Sequence, residues 1–214
     1  MSKQQKHGQV MRAFQRQGEG VPIDIVHQTA LSTDGTTVAV IGINLAQAPV
    51  PDRRYVAEVG TVNYSDETLK VMFGQRKMSP SGMLRSLVVV HMSPRAVRQF
   101  LASVEQMQKP SLSELMQKVG VKHEKVDADL GEEPEQTVAF AANIVAVAIS
   151  GREACLDFYH ASSFAMANAI NSKKLPIDAV VRVDLRTGLF GGLIDEMKKF
   201  ESKFPREAEE EATV

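Results

Sequence analysis

The stretch Ser65-Asp66-Glu67-Thr68-Leu69-Lys70-Val71-Met72-Phe73 decides the reading of this fold. Leu69, Val71 and Phe73 alternate with Lys70 and Met72, the period-two pattern of a half-buried strand. Ser65-Asp66-Glu67 is a polar turn ahead of it. The stretch Ser150-Gly151-Arg152-Glu153-Ala154-Cys155-Leu156-Asp157-Phe158 repeats the arrangement 85 residues later. Serines, turns and all three inward positions stay in register.

Working outward, Tyr55 to Tyr64 reads as the strand before the first turn, and Leu87 to His91 as a third, buried strand. Ser93-Pro94 then offers a helix N-cap followed by the residue best suited to the first helical position. Val97, Phe100, Leu101 and Val104 follow at helical spacing. In the second half, Thr137 to Ser150 reads as a long strand and Ile177 to Val183 as another, with Asp157 facing solvent between Leu156 and Phe158. Leu189, Phe190, Leu193, Ile194, Met197 and Phe200 form a helical stripe. Aligning Phe100, Leu101 and Val104 with Leu189, Phe190 and Leu193 gives an offset of 89, so the second copy carries about four extra loop residues.

The expected fold class is therefore α+β: two tandem strand-strand-strand-helix units with antiparallel sheets, paired as a pseudo-dimer. A unit of this size is marginal as a lone core and leaves two sheet edges open, so pairing two copies hides surface that one copy exposes. The expected organisation is a polar, Gln-rich arm over 1–20 and a first unit with extra N-terminal strands over 21–108. A charged linker over 109–136, a second unit over 137–204 and an acidic tail over 205–214 complete it. Ser111 and Glu114 match a capping box at the start of a short helix inside the linker.

The motifs Thr61-Val62-Asn63-Tyr64-Ser65, Leu69-Lys70-Val71-Met72-Phe73-Gly74-Gln75 and Val89-Val90-His91-Met92-Ser93-Pro94, with the Phe100-Leu101-Val104 helix, resemble a short bacterial family. It is the domain-of-unknown-function family numbered 3467. Ala141-Ala142-Asn143-Ile144-Val145, Leu156-Asp157-Phe158 and Phe200-Glu201-Ser202-Lys203-Phe204 resemble the same pattern, with Val183-Asp184 in place of Ser-Pro. The resemblance implies a tandem fold pattern and no assigned chemistry.

Charge is unevenly shared: residues 1–109 carry 13 Lys+Arg against 8 Asp+Glu, and residues 110–214 carry 12 against 18. An anionic ligand would prefer the first half. The candidate anion or nucleic-acid contacts are Arg76, Lys77 and Arg85, which flank one loop. Arg53, Arg54, Arg95 and Arg98 add to the basic first half, and Tyr55, Tyr64 and Phe73 are the aromatic residues near that loop. The single cysteine, Cys155, excludes an internal disulfide and reads as a small hydrophobe in a strand. His7, His27, His91, His123 and His160 fall at no metal-ligand spacing. Gly188, Gly191 and Gly192 match neither phosphate-loop pattern and read as a close-packing helix surface. No catalytic, cofactor or metal residue is expected. No apolar run reaches membrane-spanning length, and a reducing cytoplasm is the expected compartment.

Two functions follow from these readings. The first is a non-catalytic protein-interaction, chaperone-like or assembly subunit that binds a protein partner or itself through exposed sheet edges, its ten methionines supplying adaptable apolar surface. Its element order is similar to that of SecB-type export chaperones. The alternative is a single-stranded nucleic-acid-binding protein using the basic first repeat. There the element order is similar to Pur-type and Whirly-type binders, but cations and stacking rings are few.

Overall fold

The computed structural model describes residues 20–31, 37–76, 84–106, 110–127, 129–130 and 137–204. The class is α+β with antiparallel sheets. By internal packing the chain forms two compact units. The smaller takes the described residues of Met1–Val50 with His160–Ala179; the larger takes those of Pro51–Tyr159 and Val180–Val214.

In the smaller unit, β1 (Val21–Leu31) pairs antiparallel with β2 (Thr37–Ile43) and with the opening residues of β10 (Lys174–Arg186). Ile23 lies opposite Leu175, and both are buried with Ala165, Ala169 and Ile177. The alanines come from α3 (Ser163–Ser172), whose start is capped by Ser162 accepting from the Ala165 amide. The stretch ahead of the strand expected from Ile177 thus holds a full helix. Short, small residues let it lie close to the sheet.

The larger unit holds β3 (Arg54–Val56), β4 (Val59–Ser65), β5 (Thr68–Arg76), β6 (Leu84–Met92), α1 (Pro94–Gln106) and α2 (Leu112–Lys118). It continues with β7 (Val138–Ala141), β8 (Ile144–Ser150), β9 (Glu153–His160), the second part of β10 and α4 (Thr187–Glu201). One sheet runs β4-β5-β6-β7, and the other runs β10-β9-β8 with β3 also on β10. Within them two pairings are parallel: β7 lies on β6 with Phe140 opposite Val90, and β3 lies on β10 with Tyr55 opposite Val183.

Two expected strands are each broken in two. Tyr55 to Tyr64 divides at Ala57-Glu58, and Thr137 to Ser150 divides at Ala142-Asn143. At each break the alanine is buried and its amide adds the last rung of a parallel ladder: Ala57 donates to Asp184 O at 2.8 Å and Ala142 to His91 O at 3.0 Å. Glu58 then donates to Gly74 O and Asn143 to Tyr159 O, which re-enters the antiparallel hairpin.

The β4–β5 turn places both Asp66 and Glu67 at positive φ, 50° and 57°, the geometry a two-residue hairpin with right-handed twist requires. Ser93 caps α1 by accepting from the Ala96 amide, and Ser111 and Glu114 form the expected capping box on α2. Helix α4 has no side-chain cap. Its first residue is held instead by Thr187 N donating to Arg152 O at 2.9 Å and Thr187 Oγ1 donating to Gly151 O at 3.0 Å.

One core serves both sheets of this unit. Leu69, Val71, Phe73, Val88 and Val90 from the first sheet join Leu156, Phe158, Val181 and Val183 from the second, with Phe100 and Leu101 of α1 and Leu189, Phe190 and Leu193 of α4. Phe73 and Phe158 meet edge to face with ring centroids 6.0 Å apart. The three glycines of α4 form a contact surface. A Cβ on Gly188 would sit 2.7 Å from Lys122 O, one on Gly191 3.0 Å from Met116 Sδ, and one on Gly192 2.0 Å from Glu124 O. The segment from Lys122 onward, expected as a linker, therefore lies against the helix, with Glu124 N donating to Gly188 O and Leu130 buried.

Candidate functional site

Alternation along β9 and β10 sorts their side chains onto two faces. Ala154, Leu156, Phe158, Val181, Val183 and Leu185 enter the core. The opposite face carries Cys155, Asp157, Tyr159, Arg182 and Asp184. There Arg182 grips Asp157 with two hydrogen bonds, Nε and Nη2 each donating at 2.6 Å. Asp157 does not face solvent as expected: its side chain is 13% exposed and held in this pair. Tyr159 Oη donates to the same carboxylate at 3.4 Å, and Cys155 Sγ lies 3.8 Å from it. Arg54, from β3, completes the row by donating to Asp184.

The electrostatics of this row keep its thiol and phenol neutral. Burial, then the Asp157 charge, pushes the Cys155 thiol up to about 11 and the Tyr159 phenol up to about 12. At neutral pH the thiol is protonated and a poor nucleophile. Its half-buried position is less complete than the buried hydrophobe expected. The hydrogen bond from Arg182 to Asp157 raises the guanidinium further above its ordinary value.

Beside the row lies an open cleft of about 460 Å³, lined among others by Arg54, Glu58, Glu153, Cys155, Asp184 and Arg186. Its two arginines are engaged: Arg54 with Asp184, and Arg186 with Glu124 at 2.9 and 2.6 Å. Arg186 also donates to Glu58 O at 2.9 Å. The cleft thus offers matched ion pairs. Among the described residues no group of three His, Cys, Asp or Glu side chains is placed to hold a metal ion. Among them, too, no helix is long and apolar enough to cross a membrane.

Arg76 and Arg85 lie on paired strands, with Gln75 opposite Arg85 and Arg76 opposite Leu84. Adjacent positions point to opposite faces, so the two guanidinium groups diverge. Lys77 lies outside the described residues. Arg76 sits close enough to Glu124 to help hold that carboxyl below its usual range, after the larger effect of Arg186. Arg53 stacks over the Phe140 ring at 5.2 Å and Arg98 over Phe204 at 5.7 Å. Of the candidate aromatic residues, Phe73 is fully buried and Tyr64 packs on Phe200 and Phe204.

The feature with most capacity to bind is a strand edge. β8, Ile144-Val145-Ala146-Val147-Ala148-Ile149-Ser150, closes its sheet, and among the described residues no strand pairs with its outer side. It carries no charge and no proline, the two common guards of an edge. Ala148 and Ser150 are exposed, and Ala146, Val147 and Ile149 are half-buried. The edge of β4 is different: Asp127 N donates to Gly60 O at 3.0 Å, so the segment after α2 covers it in part.

Comparison of the chain with protein-family models, with curated proteins and with solved structures finds no match.

Proposed function

We propose that this chain is a non-catalytic protein-interaction or assembly subunit, chaperone-like in presenting apolar sheet edge, and built as a covalent pseudo-dimer of two tandem strand-strand-strand-helix units. The observation that carries the binding function is the uncharged edge of β8, with which no outer strand pairs among the described residues. An extended segment added there gains main-chain hydrogen bonds, and alternating apolar side chains supply contact area.

Support for the duplication comes from the pairings. β3, in the first unit, lies on β10 of the second; β7, in the second unit, lies on β6 of the first. Tyr55 and Phe140, Ala57 and Ala142, Glu58 and Asn143, Gly74 and Tyr159 are each 85 positions apart. Val90 and Val183, His91 and Asp184 are each 93 apart. Under this reading the helices also correspond at 93, since α1 opens at Pro94 and α4 at Thr187. Phe100 then answers to Leu193 rather than Leu189. The insertion grows from about four residues to eight and falls between the second and third strands, where the chain carries α3. The resemblance to the domain-of-unknown-function family belongs to the same reading, one copy per unit, working in a reducing cytoplasm.

A basic nucleic-acid surface is less well supported, because the arginines diverge or stack internally and the aromatic rings are packed away. The two readings separate in a fluorescence-anisotropy titration at nanomolar protein. One probe is a labelled extended peptide of alternating valine and threonine, the other a labelled oligothymidylate, each at low and raised salt. Peptide binding that is indifferent to salt is the expected result. Oligonucleotide binding that weakens steeply with salt, or no peptide binding, overturns the proposal.

A further inference from the structure

We infer that the occupant of the β8 edge is the same strand of a second copy of this chain, paired antiparallel across a two-fold axis through Val147. This deepens the edge-binding reading and rests on it. Read in either direction from Val147, β8 presents Ala146 and Ala148, then Val145 and Ile149, then Ile144 and Ser150. A two-fold antiparallel pair brings each of these opposite its counterpart: Val147 on Val147, Ala146 on Ala148, Val145 on Ile149. At the five central positions the matches are equal in polarity and close in size, Ile144 meets Ser150 at each end, and no charge meets a like charge.

Register adds a second constraint. Slipping the pair by one residue turns the inward-facing side chains outward, so an edge with distinct faces specifies its own alignment. Here the faces are distinct: Val145, Val147 and Ile149 pack toward the core, while Ala146 and Ala148 lie opposite Asp157 and Cys155 on the charged face. The centred register keeps valine and isoleucine beside valine and isoleucine, and alanine beside alanine, so each sheet face continues unbroken into the second copy.

Comparison of the two seven-residue strands explains why β8 is the one left for this role. β4 and β8 start 85 positions apart and are each followed by a two-residue turn into an antiparallel partner. The chain after α2 reaches β4 through Asp127, whereas among the described residues no segment bonds to the outer side of β8. A long, flat, uncharged edge is otherwise a site of uncontrolled association, and closure by a two-fold partner removes it.

The test is solution mass by light scattering across a micromolar dilution series of the full chain and two variants. The wild type should approach twice its monomer mass of 23.5 kDa and fall toward it on dilution. Ala148→Glu, at an exposed position, places a carboxylate against an alanine in each half of the interface, and should shift the midpoint at least tenfold toward monomer. Ala146→Lys combined with Ala148→Glu sets the new ammonium of each copy against the new carboxylate of the other, and should restore the dimer in a salt-sensitive form. Circular dichroism melts establish that each variant is folded. A wild type that stays monomeric, or a dimer indifferent to both variants, overturns the inference. A monomer that still binds the extended peptide sinks the second copy alone and leaves the edge-binding reading standing. A monomer that binds no peptide sinks both.

Discussion

Glu67 sits at φ 57° in the β4–β5 turn, beside Asp66 at 50°. A left-handed conformation costs a residue with a Cβ about 1–2 kcal/mol, less for aspartate, which tolerates it. The hairpin geometry fixes the conformation, so the residue and not the turn bears the strain. Glu67→Gly should therefore raise stability by about 1 kcal/mol, seen as a higher urea midpoint at unchanged slope. A fall in the midpoint would show that the Glu67 side chain contributes more than its backbone costs. At the other end of the pH scale, Cys155 and Tyr159 titrate upward of their ordinary values, to about 11 and about 12, with burial the larger cause and Asp157 the next. The unfolded chain releases both protons first. Their contribution is intact below about pH 8 and shrinks as pH rises toward the folded values. Urea midpoints should fall between about pH 8 and about pH 10.5, and Cys155→Ala should make that fall shallower. An equally steep fall in the variant would remove Cys155 from the account.

Among elements, the contact of α4 with the segment at Lys122 to Glu124 gives a prediction that opposes helix propensity. Alanine is better than glycine in a helix by about 1 kcal/mol, yet a Cβ on Gly192 would lie 2.0 Å from a backbone oxygen that cannot step aside cheaply. Gly192→Ala should cost about 2–3 kcal/mol. Gly191→Ala should cost least, since its neighbour is the flexible end of Met116. Equilibrium denaturation of the three alanine variants gives the order directly, and a stabilised Gly192→Ala would refute the packing. The Asp157–Arg182 pair between β9 and β10 is a second case. Asp157→Ala leaves the guanidinium half-buried without its carboxylate and should cost about 1–3 kcal/mol. Replacing both partners, Asp157→Leu with Arg182→Met, should recover most of that loss. A double variant as unstable as the single one would count against the pair being the cause.

The elements also show what local pattern can reveal. Alternation in Leu69, Val71, Phe73 and in Ala154, Leu156, Phe158 marks their strands because burial on one face is a local property. The Ser93-Pro94 cap and the Ser111–Glu114 box are likewise local. The breaks at Ala57 and Ala142 are invisible locally, since alanine suits a strand and the cause is a distant carbonyl, Asp184 O or His91 O. Asp157 reads as solvent-facing because its partner is 25 residues away. An outward charge within each of two apolar strands, Asp157 and Arg182, was the signal available. The divergence of Arg76 and Arg85 depends on pairing. Phe73 lies opposite Val88 but Gly74 opposite Ser86, so Leu87 is an extra residue that no periodicity in the sequence reveals. The charged segment from Lys122 reads as a linker because its packing uses backbone against glycine.

At the scale of the larger unit, strand exchange carries the pseudo-dimer reading to a measurable consequence. In a chain of independent repeats, damage to a strand is felt by its neighbours in sequence. Here β3 protects β10, where Arg182 N donates to Arg53 O at 2.8 Å, and β7 lies along Val88 to His91 of β6. Tyr55→Lys should loosen β3 and speed amide hydrogen exchange at Arg182 to Asp184, while Val59 to Ser65, next in sequence, stay protected. Phe140→Lys should speed exchange at Val88 to His91 and spare Ile144 to Ser150. The effects cross because each short strand is held by a strand distant in sequence, β10 or β6, and local opening follows hydrogen bonding rather than chain order. The shared core limits how far the crossing goes. Phe73 and Phe158 come from different sheets and touch, so unfolding of this unit should stay one cooperative transition while sub-global exchange separates the two edges. Exchange that rises only in the strand following the mutated one, or two distinct unfolding transitions within this unit, would mean that its two sheets stand alone and that the parallel pairings contribute little to holding them together.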